Sequence, residues 1–360
     1  DCGGRGRGFC AGKPRRAALP ILPSIARGYL SDSLRWAITM EGVLLFDGSG
    51  EIPDYSESSL APWFSKRAKI LSVVVRPGVT SIGSYAFYAC LKMTSAALPE
   101  GLKSIGHCAF EDCTKLEKVD IPDGVTSIGS YAFDGCSGLT SVTIPEGVTS
   151  IDAYAFQDCS SLTSITIPER VTKIKSGTFY NCTSLENVTL PEGLQGIENS
   201  SYDGSGAFEN CTSLKNIEIP GSVTSIGDSV FSGCSSVASI KIPEGVTSIN
   251  GSVFADCSSL TSVTIPESVA KIESGTFYNC TSLENVTLPE GLLSIEDGKY
   301  SSPRVYGVFE NCTSLTSVTI PEGVTSIGGS AFGGCTSLNN IAIPASVTSI
   351  GYDAFSDCPN

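Results

Sequence analysis

A Phe-x-x-Cys motif recurs twelve times along the 360-residue chain, from Phe87/Cys90 to Phe355/Cys358. Successive motif cysteines are 23 residues apart nine times, and the two remaining steps are 29 and 32 residues. A fixed period of about 20–50 residues is typical of a solenoid or a propeller, and it constrains the fold more than any other pattern. Because propeller blades need about 40 residues or more, the shorter unit favours a solenoid.

Each unit carries the signals of a short strand followed by a turn. In the unit that ends at Cys159, polar and apolar residues alternate over 141–144, as in a strand with one buried face. Pro145–Gly147 then ends the strand, because proline cannot donate a hydrogen bond to a neighbouring strand. Ala155, Phe156 and Cys159 follow at spacings that predict a short helical or 3₁₀ turn pointing inward.

Stacked units place equivalent side chains in rows, with neighbours about 4.8 Å apart. A single unit buries too little apolar surface to fold alone, so its neighbours must cover both of its sides. We therefore expect ladders of phenylalanine and cysteine in the core. The phenylalanines are Phe87, Phe110, Phe133, Phe156, Phe179, Phe208, Phe231, Phe254, Phe277, Phe309, Phe332 and Phe355. Among the cysteines are Cys136, Cys159, Cys182, Cys234, Cys257 and Cys280.

The repeated cysteines predict buried free thiols. Fifteen cysteines would suggest disulfides in a secreted chain, but paired bridges would impose a two-unit repeat, and none is visible. Bridges between adjacent coils and a metal site stay open as alternatives, although the chain has no Cys-x-x-Cys. Cys2 and Cys10 lie outside the ladder and are the better disulfide candidates.

The unit Cys-x-x-Leu-x-x-Val-x-Ile-Pro-Glu-Gly-Val-x-x-Ile-x-x-x-Ala-Phe-x-x-Cys, as in Cys136 to Cys159, resembles the BspA-like (Treponema-type) leucine-rich repeat. The resemblance covers about 70–358. It departs from the general leucine-rich pattern, because Pro-Glu-Gly stands where asparagine or cysteine follows the strand. The resemblance implies a solenoid from a bacterial or protist surface protein that functions in adhesion and recognition.

These observations predict an α/β, β-rich leucine-rich-repeat solenoid of about 12 stacked 23-residue coils, with parallel strands and short helical turns. Residues 1–30 match no repeat, and we expect weak order there. Residues 31–69 predict a capping module with a hairpin over Ser33–Phe46 and with Trp36 and Trp63 in its core, because the first coil needs a cover. Residues 70–360 form the solenoid. Since the chain opens on Asp1, we expect a fragment or processed form whose signal and anchor lie elsewhere.

Charge is distributed unevenly along the chain. Residues 1–69 carry a net +3 and the remainder −17. Nine of the eleven prolines that end the repeat strands precede an acid, namely Glu100, Asp123, Glu146, Glu169, Glu192, Glu244, Glu267, Glu290 and Glu322. This acidic ridge is explained by solvated turns, with a calcium or cationic-partner site as the alternative. An acidic solenoid binds nucleic acid and anionic membranes poorly, and no apolar run is long enough to span a membrane.

The sequence offers no convincing catalytic constellation. His107 is the single histidine and adjoins Cys108, whereas a working Cys–His pair is normally assembled from distant segments. Carboxylate pairs recur in every coil, although a catalytic dyad should be singular. We therefore expect a non-enzymatic protein that uses no cofactor and no metal.

The two long steps hold insertions at one phase of the coil, between the isoleucine and the phenylalanine. They occupy 198–206 and 296–308, each after a block that is identical at 23 of 27 positions, 171–197 and 269–295. Their Tyr/Ser/Gly composition is typical of recognition loops, although a tolerated insertion is the simpler explanation. The predicted ligand-binding residues are Tyr202, Asp203, Lys299, Tyr300, Arg304 and Tyr306.

The predicted function is extracellular recognition or adhesion at a cell surface. The partner is a macromolecule, namely a protein or glycan on a host or neighbouring cell, and nucleic acid is not expected. The outward strand residues, from Ser141/Thr143 to Ser317/Thr319, form a hydroxyl-rich wall with almost no aromatic side chain. That wall supports the alternative function, a glycan-binding accessory module of a larger surface protein.

Overall fold

The computed structural model describes residues 23–199, 204–296 and 306–359. Twelve coils stack behind an N-terminal cap, and coil 1 ends at Cys90 and coil 12 at Cys358. In chain order the elements are β1 (Ser24–Tyr29), β2 (Leu34–Thr39), β3 (Val43–Gly48), β4 (Gly50–Ile52), the 3₁₀ helix η1 (Phe64–Lys69), β5 (Ser72–Val75), β6 (Val79–Ile82), β7 (Ser95–Ala97), β8 (Ser104–Ile105), β9 (Lys118–Asp120), β10 (Ser127–Ile128), β11 (Ser141–Thr143), β12 (Ser150–Ile151), β13 (Ser164–Thr166) and β14 (Lys173–Ile174). They continue with β15 (Asn187–Thr189), β16 (Gly196–Ile197), β17 (Asn216–Ile217), β18 (Ser225–Ile226), β19 (Ser239–Lys241), β20 (Ser248–Ile249), β21 (Ser262–Thr264), β22 (Lys271–Ile272), β23 (Asn285–Thr287), β24 (Ser294–Ile295), β25 (Ser317–Thr319), β26 (Ser326–Ile327), β27 (Asn340–Ala342) and β28 (Ser349–Ile350).

Each coil contributes two short strands to two parallel sheets. Equivalent residues pair in register, as where Val142 of β11 lies opposite Val119 of β9 and Ile128 of β10 lies opposite Ile151 of β12. In most coils the central residue of the first strand is buried and its two neighbours are exposed, which confirms the predicted one-sided strand. The second strand has only two residues in most coils, so its alternation is too short to stand out in the sequence.

The predicted short helical turns are wrong. Among the described residues only η1 is helical, and the segment around each phenylalanine runs as consecutive turns. Two residues of this segment adopt a left-handed conformation in most coils, as Tyr131 (φ 56°) and Gly135 (φ 66°) do in coil 3. Those angles are incompatible with a right-handed helix. Backbone amides between them donate instead to the next coil, as from Phe133 N to Ala155 O at 2.8 Å.

The predicted phenylalanine ladder is confirmed. Ring centroids of successive phenylalanines lie 5.0–5.8 Å apart along the whole series. Each ring is fully buried except Phe355, which lies in the last coil and is partly buried. The backbone bonds beside the rings continue from the Phe87–Ala109 pair to the Phe332–Ala354 pair at 2.8–2.9 Å.

The two strand sides are less continuous than the phenylalanine side. Among the described strands, β11 does not pair with β13, and β17 does not pair with β19. The second sheet breaks at the same two steps. Both breaks fall at ordinary 23-residue steps rather than at the insertions. Within the described residues, the phenylalanine side therefore keeps its backbone hydrogen bonds through all twelve coils.

The ladder cysteines are buried and free, as predicted, apart from Cys358, which is partly exposed. From coil 2 onward each thiol donates a hydrogen bond to the phenylalanine carbonyl of the preceding coil, as from Cys159 Sγ to Phe133 O at 3.3 Å. Burial raises the pKa of Cys257 to about 12, so the thiol form persists at neutral pH. Cys2 and Cys10 lie outside the described residues.

The cap begins earlier than the sequence suggested, because β1 lies within the segment for which weak order was expected. It pairs antiparallel with β2, and Ile25 and Ala26 pack against the core. The predicted hairpin is present as β2 and β3. Trp36 and Trp63 are buried with ring centroids 5.4 Å apart, and Trp63 Nε1 donates to Ala86 O at 2.7 Å. Since β3 and β4 pair with β5 and β6 of coil 1, the cap extends both sheets.

Candidate functional site

Both insertions leave and rejoin the solenoid in the same way. The insertions begin at Glu198 and Glu296. The backbone amides of these two residues donate to the carbonyl oxygen of the second-strand isoleucine in the preceding coil, at 2.8 and 3.2 Å. Both return through a glycine, Gly206 or Gly307. A Cβ at either glycine would lie 1.9 Å from the carbonyl oxygen of Ser229 or Ser330, so only glycine fits. The equal phase predicted from the sequence is therefore present in three dimensions.

Equivalent side chains hold the bases of the two insertions. Ser176 Oγ donates to Ser205 O at 3.0 Å, and Ser274 Oγ donates to Tyr306 O at 2.6 Å. Both serines are buried. An ion pair closes the other end of each base, from Lys173 Nζ to Glu198 Oε1 at 2.6 Å and from Lys271 Nζ to Glu296 Oε2 at 2.8 Å.

The scaffold is continuous beneath the insertions. Phe179 N donates to Ala207 O, and Phe277 N donates to Val308 O, both at 2.8 Å. These distances match those in coils without an insertion, such as the bond between Phe133 N and Ala155 O. The flanking coils therefore make their usual contacts whatever the length of the inserted segment.

Of the six residues predicted to bind a ligand, only Tyr306 has a described position. Its ring centroid lies 3.9 Å from that of Tyr278, with an angle of 32° between the rings. Tyr306 is partly exposed at the end of the second insertion. The remaining five, which are Tyr202, Asp203, Lys299, Tyr300 and Arg304, lie outside the described residues.

A row of aromatic rings crosses coils 1–4 in the segment between the second strand and the phenylalanine; the first three are exposed or partly exposed, and Tyr154 is buried. We call it the aromatic strip; its members are Tyr85, His107, Tyr131 and Tyr154. Successive ring centroids are 5.3, 5.7 and 4.8 Å apart. The strip was not predicted from the sequence, because aromatic residues were considered only on the strand wall, in the cap and in the insertions. The available signal was the second position before the phenylalanine, where three of the first four coils carry tyrosine.

The aromatic strip ends at the base of the first insertion. The Tyr154 hydroxyl lies 3.2 Å from Ser176 Oγ, the group that donates to Ser205 O. The Tyr154 ring covers Gly177, where a Cβ would lie 2.1 Å from ring atom Cε1. The strip and the first insertion therefore adjoin on the same edge of the solenoid.

Carboxylates lie next to the aromatic strip on coils 2–4. They are Glu111, Asp112, Asp134 and Asp158, all half-buried. Burial, with Glu111, Asp158 and Asp112 nearby, raises the pKa of Asp134 to about 7. Burial also raises the pKa of Glu111, and the charges of Glu111 and Asp112 raise the pKa of Tyr88 beyond the effect of its own burial. The aromatic and acidic groups thus share one electrostatic environment.

Comparison with known proteins identifies the family. The sequence profile of the BspA type Leucine rich repeat region matches six copies, over residues 80–206, 204–304 and 305–360. The chain belongs to the BspA type leucine-rich repeat family. A leucine-rich repeat protein from Bacteroides ovatus is 30% identical, with a TM-score of 0.66 and 92% of each chain covered. This family and fold are typical of recognition proteins.

Two further solved structures resemble this BspA type chain. A leucine-rich repeat protein from Eubacterium ventriosum is 25% identical over 92% of this chain and 94% of its own, with a TM-score of 0.54. The pneumococcal vaccine antigen PcpA is 18% identical over 93% of this chain and 86% of its own, with a TM-score of 0.50, and shows the fold alone. Among curated proteins, no significant match was found.

The His107–Cys108 pair of this BspA type chain lacks the electrostatics of an activated nucleophile. Cys108 Sγ lies 3.1 Å from His107 Nε2. Burial, followed by Glu111, raises the pKa of Cys108, whereas a reactive cysteine needs a lowered pKa. The pair therefore fits surface variation at the aromatic strip better than catalysis.

The acidic ridge and the hydroxyl-rich wall of the BspA type solenoid both lie on its surface. All nine ridge acids are exposed, as are the outward residues of the hydroxyl-rich wall. Within the described ranges, no group of three or more His, Cys, Asp or Glu residues is arranged to hold a metal ion. The described part of the chain also has no helix that is long and apolar enough to cross a membrane.

Proposed function

We propose that this chain is a non-enzymatic module of a cell-surface protein that binds a macromolecular partner, preferably a protein, through its two insertions. The leucine-rich repeat family supports a recognition role. The surface location and the adhesion role rest on the BspA resemblance. The module needs no cofactor for this role, since a rigid scaffold that positions loops is sufficient for recognition.

The observation that carries the proposal is the matched anchoring of the two insertions. Ser176 and Ser274 hold the insertion bases from equivalent positions of a duplicated block. Four coils separate the insertions, so their bases lie roughly 19 Å apart at about 4.8 Å per coil. One partner can therefore contact both loops.

The composition of the insertions suits a protein contact. Tyrosine offers a large contact area with few rotatable bonds, and the insertions supply Tyr202, Tyr300 and Tyr306. Lys299 and Arg304 add positive charge to an otherwise acidic solenoid. Binding hot spots favour such aromatic and arginine anchors, which the hydroxyl-rich wall lacks.

The test removes the insertions and keeps the coils. Deleting 199–204 and 297–305 restores two steps of 23 residues from the original 29 and 32. Ser205 and Tyr306 are retained because their carbonyls accept the bonds from Ser176 and Ser274. Partners selected with the intact chain on arrays of extracellular proteins and of glycans are then measured against the deleted chain by surface plasmon resonance.

The proposal predicts that the affinity for the selected protein partner falls at least tenfold in the double deletion. Each single deletion should weaken binding by less, because one partner spans both loops. Unchanged affinity in the double deletion would contradict the proposal. Selection of glycans alone, with binding that survives the deletion, would instead favour the hydroxyl-rich wall and the accessory-module function.

A further inference from the structure

The aromatic strip differs from the same positions elsewhere in the solenoid. Tyr85, Tyr131 and Tyr154 occupy left-handed backbone positions with φ of 55°, 56° and 61°. Bulky residues rarely adopt this conformation. Coils 7, 8 and 11 place Ser229, Ser252 and Ser330 at the equivalent site with φ of 55°, 55° and 51°. Tyrosine is therefore not needed to build the turn.

The strip is extended at its N-terminal end by two more rings. Tyr88 lies 5.5 Å from Tyr85, and Phe64 of η1 stacks on Tyr88 at 6.1 Å. The Arg67 guanidinium lies over the Phe64 ring, 3.9 Å from its centroid. This end of the surface thus already holds a guanidinium on an aromatic face, an arrangement that aromatic rings favour electrostatically.

We propose that the aromatic strip and the carboxylates beside it form a second binding surface for an extended cationic protein segment rich in arginine. This surface adjoins the base of the first insertion but does not include the inserted loops. Aromatic faces attract guanidinium groups, and Glu111 and Asp134 supply charge-assisted acceptors. Arginine is suited to both contacts because its guanidinium is planar, stacks on rings and donates to carboxylates.

Charge decides between a cationic segment and a neutral glycan. Burial, together with repulsion from Glu111, Asp158 and Asp112, keeps the pKa of Asp134 high. A bound cation relieves the repulsion, whereas a neutral sugar leaves it in place. The length also suits a peptide, since three coil steps of about 4.8 Å match roughly four to five residues at about 3.3 Å each.

The test uses a peptide that presents arginine on one face. In an extended chain alternate side chains point the same way, so the probe is a decapeptide of five Arg-Ser pairs. The same peptide with citrulline in place of arginine is the uncharged control. Binding to the full chain is measured by isothermal titration calorimetry at pH 8, where Asp134 is mostly ionised.

The decisive variant is the triple substitution Tyr85→Ser, Tyr131→Ser and Tyr154→Ser. It leaves every formal charge at neutral pH in place and installs the residue that coils 7, 8 and 11 already carry. We expect the affinity for the arginine peptide to fall at least tenfold and the citrulline peptide to bind neither protein. Deleting 199–204 and 297–305 should leave peptide binding unchanged, which separates this surface from the insertions.

Two double variants that each remove two negative charges test whether a loss of peptide binding has another cause, namely a fold defect or nonspecific charge attraction. Glu111→Gln with Asp134→Asn removes two strip carboxylates, and Glu244→Gln with Glu267→Gln removes two from the acidic ridge. The first pair should weaken peptide binding at least fivefold, and the second by less than twofold. Equal losses in both pairs, a triple-serine variant that binds like the wild type, or tighter binding of maltohexaose than of the arginine peptide would overturn the proposal.

Discussion

Coils 3–6 and coils 7–10 are two blocks whose equivalent positions before the insertions are 98 residues apart. They share a scaffold but differ in what covers it. In the first block Tyr154 lies over Gly177 and reaches Ser176. In the second block the counterpart of Tyr154 is Ser252, and Tyr306 from the insertion approaches instead, with its Cβ 3.4 Å from a Cβ built on Gly275. The interior is thus set by the repeat, whereas the space over this glycine can be filled from a neighbouring coil or from a loop.

This difference locates where the chain can vary without loss of the fold. The insertions and the aromatic strip both lie in the segment between the second strand and the phenylalanine. That segment begins at a strand and ends at the continuous hydrogen bonds of the phenylalanine side, such as the one between Phe179 N and Ala207 O. Since both ends are fixed, changes between them alter the surface and leave the stacking intact.

The largest expected effect tests whether the interiors of the blocks are equivalent. Phe156 and Phe254 are both fully buried, with stacked neighbours on either side. Phe156→Ala and Phe254→Ala should each lower the free energy of unfolding by about 3–5 kcal/mol. Urea denaturation monitored by circular dichroism measures both. A tolerated substitution in one block would show that the blocks do not share one core.

A smaller expected effect concerns the half-buried carboxylate Asp134 and the pH dependence of stability. The pKa of Asp134 is about 7 in the folded chain, above its usual 3.8, so the folded state binds the proton more tightly than the unfolded state does. This group's contribution to stability is therefore lost as the pH rises from about 4 through 7. Asp134→Asn should raise the melting temperature relative to the wild type at pH 8, and the gain should vanish near pH 4.

The second block offers a matched control for that prediction. Ser232 is the counterpart of Asp134, and it is flanked in sequence register by Glu209 and Asp256, the counterparts of Glu111 and Asp158. Ser232→Asp should therefore lower the melting temperature at pH 8 and not near pH 4. If neither substitution produces a pH-dependent shift, carboxylate repulsion does not distinguish the two blocks.

The sequence predicted the parts of the fold that repeat. The phenylalanine and cysteine ladders, the register of the parallel strands and the number of coils follow from the 23-residue period. The turn around the phenylalanine was missed because helical spacing alone does not reveal left-handed residues. A signal was present, since the residue before the motif cysteine is Asn, Asp or Gly in every coil except the first, where it is Ala89. These residue types tolerate positive φ best.

The candidate site was less accessible to sequence reasoning. The phase of the insertions could be read from the spacing, but the anchors Ser176 and Ser274 depend on contacts with the following coil. The aromatic strip is likewise formed by side chains that are 22–24 residues apart in sequence. Its rings approach one another only because the coils stack, so composition does not reveal it.

The central claim is that the coils beneath the insertions are complete without them. Hydrogen exchange followed by mass spectrometry tests this on the full chain and on the double deletion of 199–204 and 297–305. The amides of Phe179 and Phe277, which bond to Ala207 and Val308, should be equally protected in the full chain and keep that protection within tenfold after the deletion. Exchange at these amides that accelerates more than tenfold in the deleted chain would show that the insertions support the coils, and would contradict the account.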